Sequence, residues 1–363
     1  MRILLYYQNS LSSICIESML QSFVQKRHEC FLLTTSEKGL LHHKVDKFGV
    51  KTFSSFKEGK SSYMSDLAFL INFSKKNKID VIYSHLQRPN LIALLSKYFI
   101  KAKVFPCRHH MDDVSLSNNR NSILIDKLIN ALSIKIVVVS NNVKQYMVSV
   151  EKVKQNKIVV IPLGYNFDLY DKPDSNEVLK LKESIKCDLC LITIGRMVKN
   201  KNHILVLRAL KTLKKRGLKI KLILVDDGPE KGHLVEFVTN NNLNDSVIFT
   251  GFLSNIMNYL ATADVLVCPS ISEASNQVVK EAGLLQKPSV VIKSVGDFQE
   301  YIIQDYNGFF ISMQNAEDDL INTLTDIYNK KHNLTTIGKE IKQVIQSKFD
   351  IKHIVDKYLS LIN

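Results

Sequence analysis

Short apolar runs of strand length alternate with segments of helical period along almost the whole chain, and no feature constrains the fold more. The stretch from Ala263 to Ile292, ADVLVCPSISEASNQVVKEAGLLQKPSVVI, shows the pattern once. Val265 to Cys268 is apolar enough for a buried strand, and Pro269-Ser270 breaks it. A polar loop, Ile271 to Asn276, follows. Val278, Val279, Ala282, Leu284 and Leu285 then recur at near-helical spacing until Lys287-Pro288, and Ser289 to Ile292 reads as the next strand. A strand that returns through a helix pairs in parallel, so this is one βαβ unit.

The same reading extends along the chain. Strands are predicted at Arg2–Tyr7, Phe31–Thr34, Asp80–Tyr83, Val104–Cys107, Ile136–Ser140 and Ile158–Ile161. Helices are predicted at Ser12–Val24, Tyr63–Phe73, Pro89–Phe99, Ile123–Leu132 and Asn142–Val150, with a less regular crossing over Lys44–Ser55. Pro162-Leu163-Gly164-Tyr165-Asn166 breaks the alternation, and a linker and short helix reach Ser184. A second series follows, with strands at Leu189–Ile194, Ile220–Val225 and Val247–Thr250 and helices at Ile204–Arg216, Leu234–Thr239 and Ile256–Leu260. Beyond the opening unit come a strand at Phe309–Ile311 and three helical segments. The expectation is an α/β fold of two doubly wound, Rossmann-like domains facing across a cleft. A length of 363 residues suits two such cores.

No apolar run is long enough for a membrane helix, and MRILLYYQNS lacks the apolar core and cleavage site of a signal peptide. The start reads as a first strand, and the expected location is the cytoplasm. Six cysteines show no disulfide framework, and Cys187-x-x-Cys190 has no second pair or histidine cluster to complete a metal site. The net charge of +14 is lopsided. Residues 1–165 hold 24 Lys+Arg against 11 Asp+Glu, and the remainder 25 against 24. The first half should attract an anionic surface or substrate, unless the excess only serves solubility.

Groups suited to chemistry cluster after strands. Gly195-Arg196-Met197-Val198-Lys199-Asn200-Lys201-Asn202 lies between a strand and a helix. Glycine lets a ligand approach the backbone, Arg196 can grip phosphate bidentately, and Lys201 can add a point charge. Glu273 lies in the loop of the opening unit and Glu281 eight residues later, on the helix about two turns past its start. Eight residues return to nearly one helical face, so both acids can face one crevice at the carboxyl end of a strand. Taken alone, each cluster also reads as a polar surface, the pair of acids more so than the cations.

Four motifs in register carry a resemblance: Gly-Arg…Lys-Asn at 195–202, Asp-Gly-Pro at 227–229, a strand ending in Gly251-Phe252, and Pro-Ser…Glu-x7-Glu at 269–281. The chain resembles the retaining GT-B glycosyltransferases of family 4 over nearly its whole length. Val137 to Asn141 (VVVSN) and Ile158 to Asn166 (IVVIPLGYN) look like that family's last strand of the first domain and its strand into the second. The resemblance implies an acceptor-binding domain over 1–165, a nucleotide-sugar-binding domain over 166–345, and a helix over 346–363 that crosses back. It implies that Arg196 and Lys201 hold the donor diphosphate, that Glu281 takes the ribose, and that Gly251, Phe252 and Leu253 line the base. Glu273 and the backbone N–H groups of Ser275, Asn276 and Gln277 would hold the donor sugar. His109 would sit near the reacting carbon, with His110 as the alternative. Retention is explained in the family by front-face attack, with the leaving phosphate taking the acceptor proton, which asks for positioned cations and dipoles. No metal or other cofactor is implied, although Asp112-Asp113 is a pair that could suggest one.

Three departures stand out. The loop after the first strand is Gln8-Asn9-Ser10-Leu11-Ser12-Ser13, without the usual glycines. The usual Glu-Gly-Phe-Gly is Glu273-Ala274-Ser275-Asn276, and the residue before Asp-Gly-Pro is Asp226 rather than glycine. The resulting expectation is a hexosyltransferase that moves a sugar from a nucleotide-sugar to a glycan or polyprenyl-linked acceptor in bacterial surface polysaccharide assembly, lipopolysaccharide or capsule. It would rest peripherally on the inner face of the membrane, its basic first half against anionic lipid. An epimerase of the same fold would need a different acid–base set. A nucleic-acid-binding protein would show aromatic residues among its basic ones or a known module, and neither is present. A degenerate subunit would have lost Arg196, Lys201 or Glu281, and all three remain.

Overall fold

The computed structural model describes residues 1–56, 62–111 and 119–362. The chain divides into two units, Met1–Tyr170 with Phe349 onward, and Asp171–Lys348.

Unit 1 begins with β1 (Arg2–Tyr7), α1 (Ile14–Gln25), β2 (Glu29–Thr34), α2 (Leu40–Asp46), β3 (Lys51–Ser54) and α3 (Tyr63–Lys76). It continues with β4 (Val81–His85), α4 (Gln87–Ser96), β5 (Lys103–Arg108), α5 (Arg120–Leu132), β6 (Ile136–Val138), α6 (Asn141–Ser149) and β7 (Ile158–Val160). The stretch read as an irregular crossing is therefore a helix and a strand. β3 is a four-residue strand next to β2 alone, with Lys51 exposed, too short for its alternation to be legible. All pairings are parallel, in the order β3-β2-β1-β4-β5-β6-β7.

The period of two in β1 builds both cores of this unit. Ile3 and Leu5 join Ile16, Met19, Leu20 and Phe23 of α1 on one face. Leu4 and Tyr6 join Leu70 and Phe73 of α3 and Ile92 and Ala93 of α4 on the other. With helices on both faces, the central strand is apolar without a break.

Unit 2 comprises α7 (Ser175–Ile185), β8 (Leu189–Ile194), α8 (His203–Lys215), β9 (Ile220–Val225), α9 (Lys231–Asn240), β10 (Val247–Gly251) and α10 (Met257–Thr262). Then come β11 (Val265–Cys268), α11 (Gln277–Leu284), β12 (Ser289–Ile292), β13 (Phe309–Ile311), α12 (Ala316–Tyr328) and α13 (Leu334–Lys348). Its parallel sheet has the order β10-β9-β8-β11-β12-β13. Asp174 accepts from the N–H groups of Asn176 and Glu177 to start α7, which is why the polar linker ends there.

The last helix, α14 (Ile351–Ser360), returns to unit 1. Ile351, Ile354, Val355 and Tyr358 enter the core that holds Ile3, Leu5 and Tyr83. The Tyr83 hydroxyl donates to the Tyr358 carbonyl at 2.6 Å. A Cβ on Gly164 would lie 2.8 Å from Ile351 Cδ1 and Ile354 Cβ, so glycine permits this docking. Ile354→Ala should therefore cost about 2–5 kcal/mol. The loss should be read as reduced hydrogen-exchange protection of the β1 and β4 amides; full protection would show that α14 contributes nothing to that core.

Candidate functional site

In each sheet the strand order reverses once, between β1 and β4 in unit 1 and between β8 and β11 in unit 2. The loops leaving the two strands at a reversal diverge to opposite faces and leave a crevice at the carboxyl end, where open α/β sheets bind ligands.

In unit 2 the loop after β8 carries Gly195 at φ +148 and Arg196. The loop is fastened to its neighbours through backbone. Met197 N–H donates to Asp227 O at 2.9 Å and Glu230 N–H to Met197 O at 3.0 Å. A Cβ on Gly228 would lie 2.5 Å from Met197 O, so the Asp-Gly-Pro turn needs glycine to lie against that loop. Asp226, where the resemblance has glycine, takes φ +97, and its N–H donates to Gly251 O at 2.9 Å. Ile271 N–H donates to Asn200 O at 2.9 Å. The loops after β8, β9, β10 and β11 are thus tied together along one edge of the sheet.

Arg196 is exposed and makes no hydrogen bond or ion pair among the described residues. Lys201 Nζ lies 2.6 Å from Glu273 Oε1, and Asn276 Nδ2 donates to the same oxygen at 2.8 Å. Two groups expected to grip different parts of a ligand therefore grip each other. Gly251, at φ +70, ends β10; Leu253 is half-buried and Phe252 is 76 % exposed.

α11 begins only at Gln277, because Asn276 caps it by accepting from Val279 N–H at 3.1 Å. Glu281 accordingly sits one turn into the helix rather than two. Glu273 precedes the helix altogether, so no common helical face unites the acids as their spacing of eight suggested. Glu281 is buried and accepts from Gln277 Nε2 at 2.6 Å. Burial pushes its carboxyl up to about 7, against the opposing effects of the Gln277 hydrogen bond and the Lys280 charge.

Below the loop lies an ion pair that sequence reasoning missed. Lys280 is fully buried. Its Nζ donates to Asp297 Oδ2 at 2.7 Å, Ser275 Oγ at 2.9 Å and Asn276 O at 3.0 Å. Ser275 Oγ donates to Asp297 Oδ2 at 2.7 Å. Gly296, at φ +56, brings Asp297 in close, since a Cβ there would lie 3.0 Å from Glu273 Cβ. The Ala274-Ser275-Asn276 sequence that replaces the expected glycines is therefore anchored from beneath by polar side chains. Every position from Val279 to Gly283 is buried, so the helix offers Lys280 no solvated face, but that burial is invisible in the sequence.

Unit 1 carries a histidine cluster at its own reversal. His109, just beyond β5, is half-buried, and its Nε2 lies 2.7 Å from Nδ1 of His85, the last residue of β4. Burial, with a lesser contribution from His110, pulls His109 down to about 4. His110 Nε2 instead meets Asp126 Oδ2 at 2.8 Å. Arg108 makes a fork to Glu151 at 2.7 and 2.6 Å. The two histidines thus differ: His109 is neutral and inward, His110 tied to a carboxylate. The glycine-free loop after β1 is held by Glu17, which accepts from Ser12 Oγ at 2.7 Å and Ser13 N–H at 3.0 Å. Asp112 and Asp113 lie outside the described residues, among which no cluster of His, Cys, Asp and Glu could hold a metal. Cys187 and Cys190 are free thiols.

Lys280→Met should cost about 3–5 kcal/mol, because it leaves the Asp297 carboxylate buried and unpaired. The double variant Lys280→Met/Asp297→Leu should recover most of that loss in a thermal melt. Equal destabilisation of single and double variants would contradict this account.

Residues 13–169 match the family described as Glycosyltransferase Family 4, and residues 177–344 match Glycosyl transferases group 1. The UDP-Gal:alpha-D-GlcNAc-diphosphoundecaprenol alpha-1,3-galactosyltransferase of Escherichia coli is 25% identical over 313 residues, which is 82% of this chain and 79% of that protein. The alpha-monoglucosyldiacylglycerol synthase of Streptococcus pneumoniae is 23% identical over 96% of this chain and 82% of its own length. Among solved structures, Anabaena HepE in complex with UDP superposes with a TM-score of 0.82 at 18% identity, covering 100% of this chain and 99% of that one. The order of both sheets and these matches together make this chain a glycosyltransferase of GT-B fold, built from a family 4 domain followed by a group 1 domain.

Proposed function

We propose that the protein transfers a sugar from a UDP-sugar to a glycan or polyprenyl-linked acceptor, with retention of anomeric configuration. The single observation that carries this reading is the edge of unit 2 at its strand-order reversal. There Arg196, with no partner among the described residues, and the Lys201–Glu273 pair lie on loops tied to one another, and the buried Glu281 lies on the helix that follows. The UDP in the Anabaena complex and the UDP-Gal and lipid diphosphate in the name of the E. coli relative support the choice of donor and acceptor.

In this reading Arg196 and Lys201 bind the diphosphate and offset the charge that grows on it as the sugar leaves. Lys201 then exchanges part of its contact with Glu273 for phosphate, which frees Glu273 for the sugar. The N–H groups of Ser275, Asn276 and Gln277 add dipoles at the start of α11. Glu281 takes the ribose hydroxyls, and Gly251, Phe252 and Leu253 meet the base. His109 keeps the role that the resemblance implies for it, beside the reacting carbon. The acceptor oxygen attacks from the side the phosphate leaves, and the phosphate takes its proton. The positive charge comes from side chains, so no metal takes part, and activity should survive EDTA. The basic balance of residues 1–165 suits an anionic membrane bearing the acceptor. Co-flotation with anionic but not neutral vesicles tests that part.

Arg196→Glu should lower UDP affinity at least tenfold by calorimetry while leaving the melting temperature within a degree or so, since an exposed charge contributes little to stability. Unchanged affinity would sink the diphosphate role. A thermal-shift panel of UDP-, GDP-, ADP- and dTDP-sugars identifies the donor, because only a ligand of the folded state raises the melting point.

Glu281 adds a pH dependence. Its folded value of about 7 lies above the ordinary 4.5, so the fold favours the protonated form. The contribution of this group to stability is then greatest below about 4.5 and falls by about 3 kcal/mol as pH rises from there to just above 7. Ribose hydroxyls donate to the ionised form, so UDP should bind more tightly as pH rises through 7 and release a proton on binding below it. Glu281→Gln should flatten that profile; an unaltered profile in the variant would remove Glu281 from the ribose.

A further inference from the structure

His85 closes β4 beside β1, at the strand-order reversal of unit 1. Its imidazole is fully buried and meets the Tyr7 ring edge-on at 6.3 Å. Leu86, directly after it, takes φ 75 and ψ 162, a region that residues with a Cβ rarely occupy. The backbone is held there while His85 Nδ1 meets His109 Nε2 at 2.7 Å, the rings 5.0 Å apart between centroids.

A contact this short between two ring nitrogens needs one donor and one acceptor. Burial lowers the pKa of both rings, His85 far below its ordinary value and His109 to about 4, so each carries one N–H at neutral pH. Two arrangements are open. If His109 donates through Nε2, the hydrogen of His85 must sit on Nε2, which is buried and has no hydrogen-bond partner among the described residues. If His85 donates through Nδ1, only a lone pair on His85 Nε2 goes unused. Orphaned buried N–H groups are rarer and costlier than underused acceptors, so the second arrangement wins. His109 then carries its hydrogen on Nδ1, which makes no hydrogen bond among the described residues and remains available to a ligand.

We propose that His85 is a positioning residue that fixes the tautomer of His109 and so presents His109 Nδ1–H as a neutral donor to a ligand oxygen. The ligand oxygen is a sugar hydroxyl or phosphate oxygen, and that identity rests on the glycosyltransferase reading above. One chemical consequence follows. The Nε2 lone pair of His109 is occupied by His85 and Nδ1 already holds a hydrogen, so His109 has no lone pair with which to take a proton. As the acceptor O–H adds to the anomeric carbon and the bond from that carbon to the phosphate oxygen breaks, the proton must go elsewhere. The departing phosphate can take it. His109 orients and polarises; it does not act as a base.

The test is a long-range proton–nitrogen NMR correlation of the full-length protein labelled with ¹⁵N-histidine, at pH 7. His109→Gln identifies the His109 signals by their disappearance. The expected result is His109 as the Nδ1–H tautomer in the unaltered protein, a measurement that needs no change at His85. An Nε2–H tautomer there overturns the proposal. His85→Phe should shift His109 toward Nε2–H, and His85→Asn, whose amide N–H can replace the Nδ1–H donor, should keep Nδ1–H. A His109 tautomer unchanged in His85→Phe overturns the positioning role. With a donor sugar in hand, kcat should fall about tenfold or more in His85→Phe with KM within a few-fold, and His85→Asn should restore most of it. Loss of the NMR signature with activity intact refutes the inference alone, whereas the predicted tautomer with no transfer from any nucleotide-sugar refutes the functional reading alone.

Discussion

Parallel strand pairing is the constraint on which everything else in this protein depends. It forces each connection to cross over through a helix, so both faces of each sheet are covered and central strands are apolar throughout. β1 illustrates it, with alternate residues feeding two separate cores. The same rule gathers all the strand-to-helix loops of a unit at one edge. Where the strand order reverses, between β1 and β4 and between β8 and β11, the loops part and polar side chains collect. The histidine pair of unit 1 and the Arg196–Lys201–Glu273–Glu281 group of unit 2 both lie at such reversals.

What stiffens those loops is mostly polar and mostly buried. In unit 2, backbone hydrogen bonds tie four neighbouring loops, and Gly228 makes the closest of these approaches possible. At three places the chain lacks a glycine that the resemblance leads one to expect, and at each a specific interaction substitutes. Glu17 holds Ser12 and Ser13; Asp226 tolerates φ +97 while its N–H is bonded to Gly251; Lys280 and Asp297 carry the Ser275–Asn276 segment. A buried ion pair is weak evidence for stability, but three further hydrogen bonds converge on this one and fix its geometry.

The site also holds groups in states that water would not favour. Glu281 is buried without a cation in hydrogen-bond contact among the described residues, and His85 and His109 are stripped of charge by burial. Such groups are costly in the unliganded fold and useful when a ligand supplies the missing partner, which is why perturbed ionisation tends to collect at functional sites. Arg196 is the opposite case, an exposed cation whose value arises only when an anion arrives.

Strand and helix positions were legible because two periods, 2 and 3.6, recur cleanly in runs such as Leu189–Ile194 and Ile204–Arg216. β3 was not, since four residues on an edge are too few to show alternation. Arg196, Lys201, Glu273 and Glu281 could be named from their spacing relative to strands. Their mutual arrangement could not: the Asn276 cap moved the start of α11 and with it the relation of the two acids. His85 lies just past the strand predicted over Asp80–Tyr83, and nothing in the local sequence points to its partner 24 residues away. Local order of apolar and polar residues, which acts over a few neighbours, therefore determined the elements, their parallel pairing and the loops that carry chemistry. Which side chains meet was decided by packing between distant segments, as in Lys280 with Asp297 or Lys201 with Glu273, because burial and hydrogen-bond geometry exist only once the chain is folded.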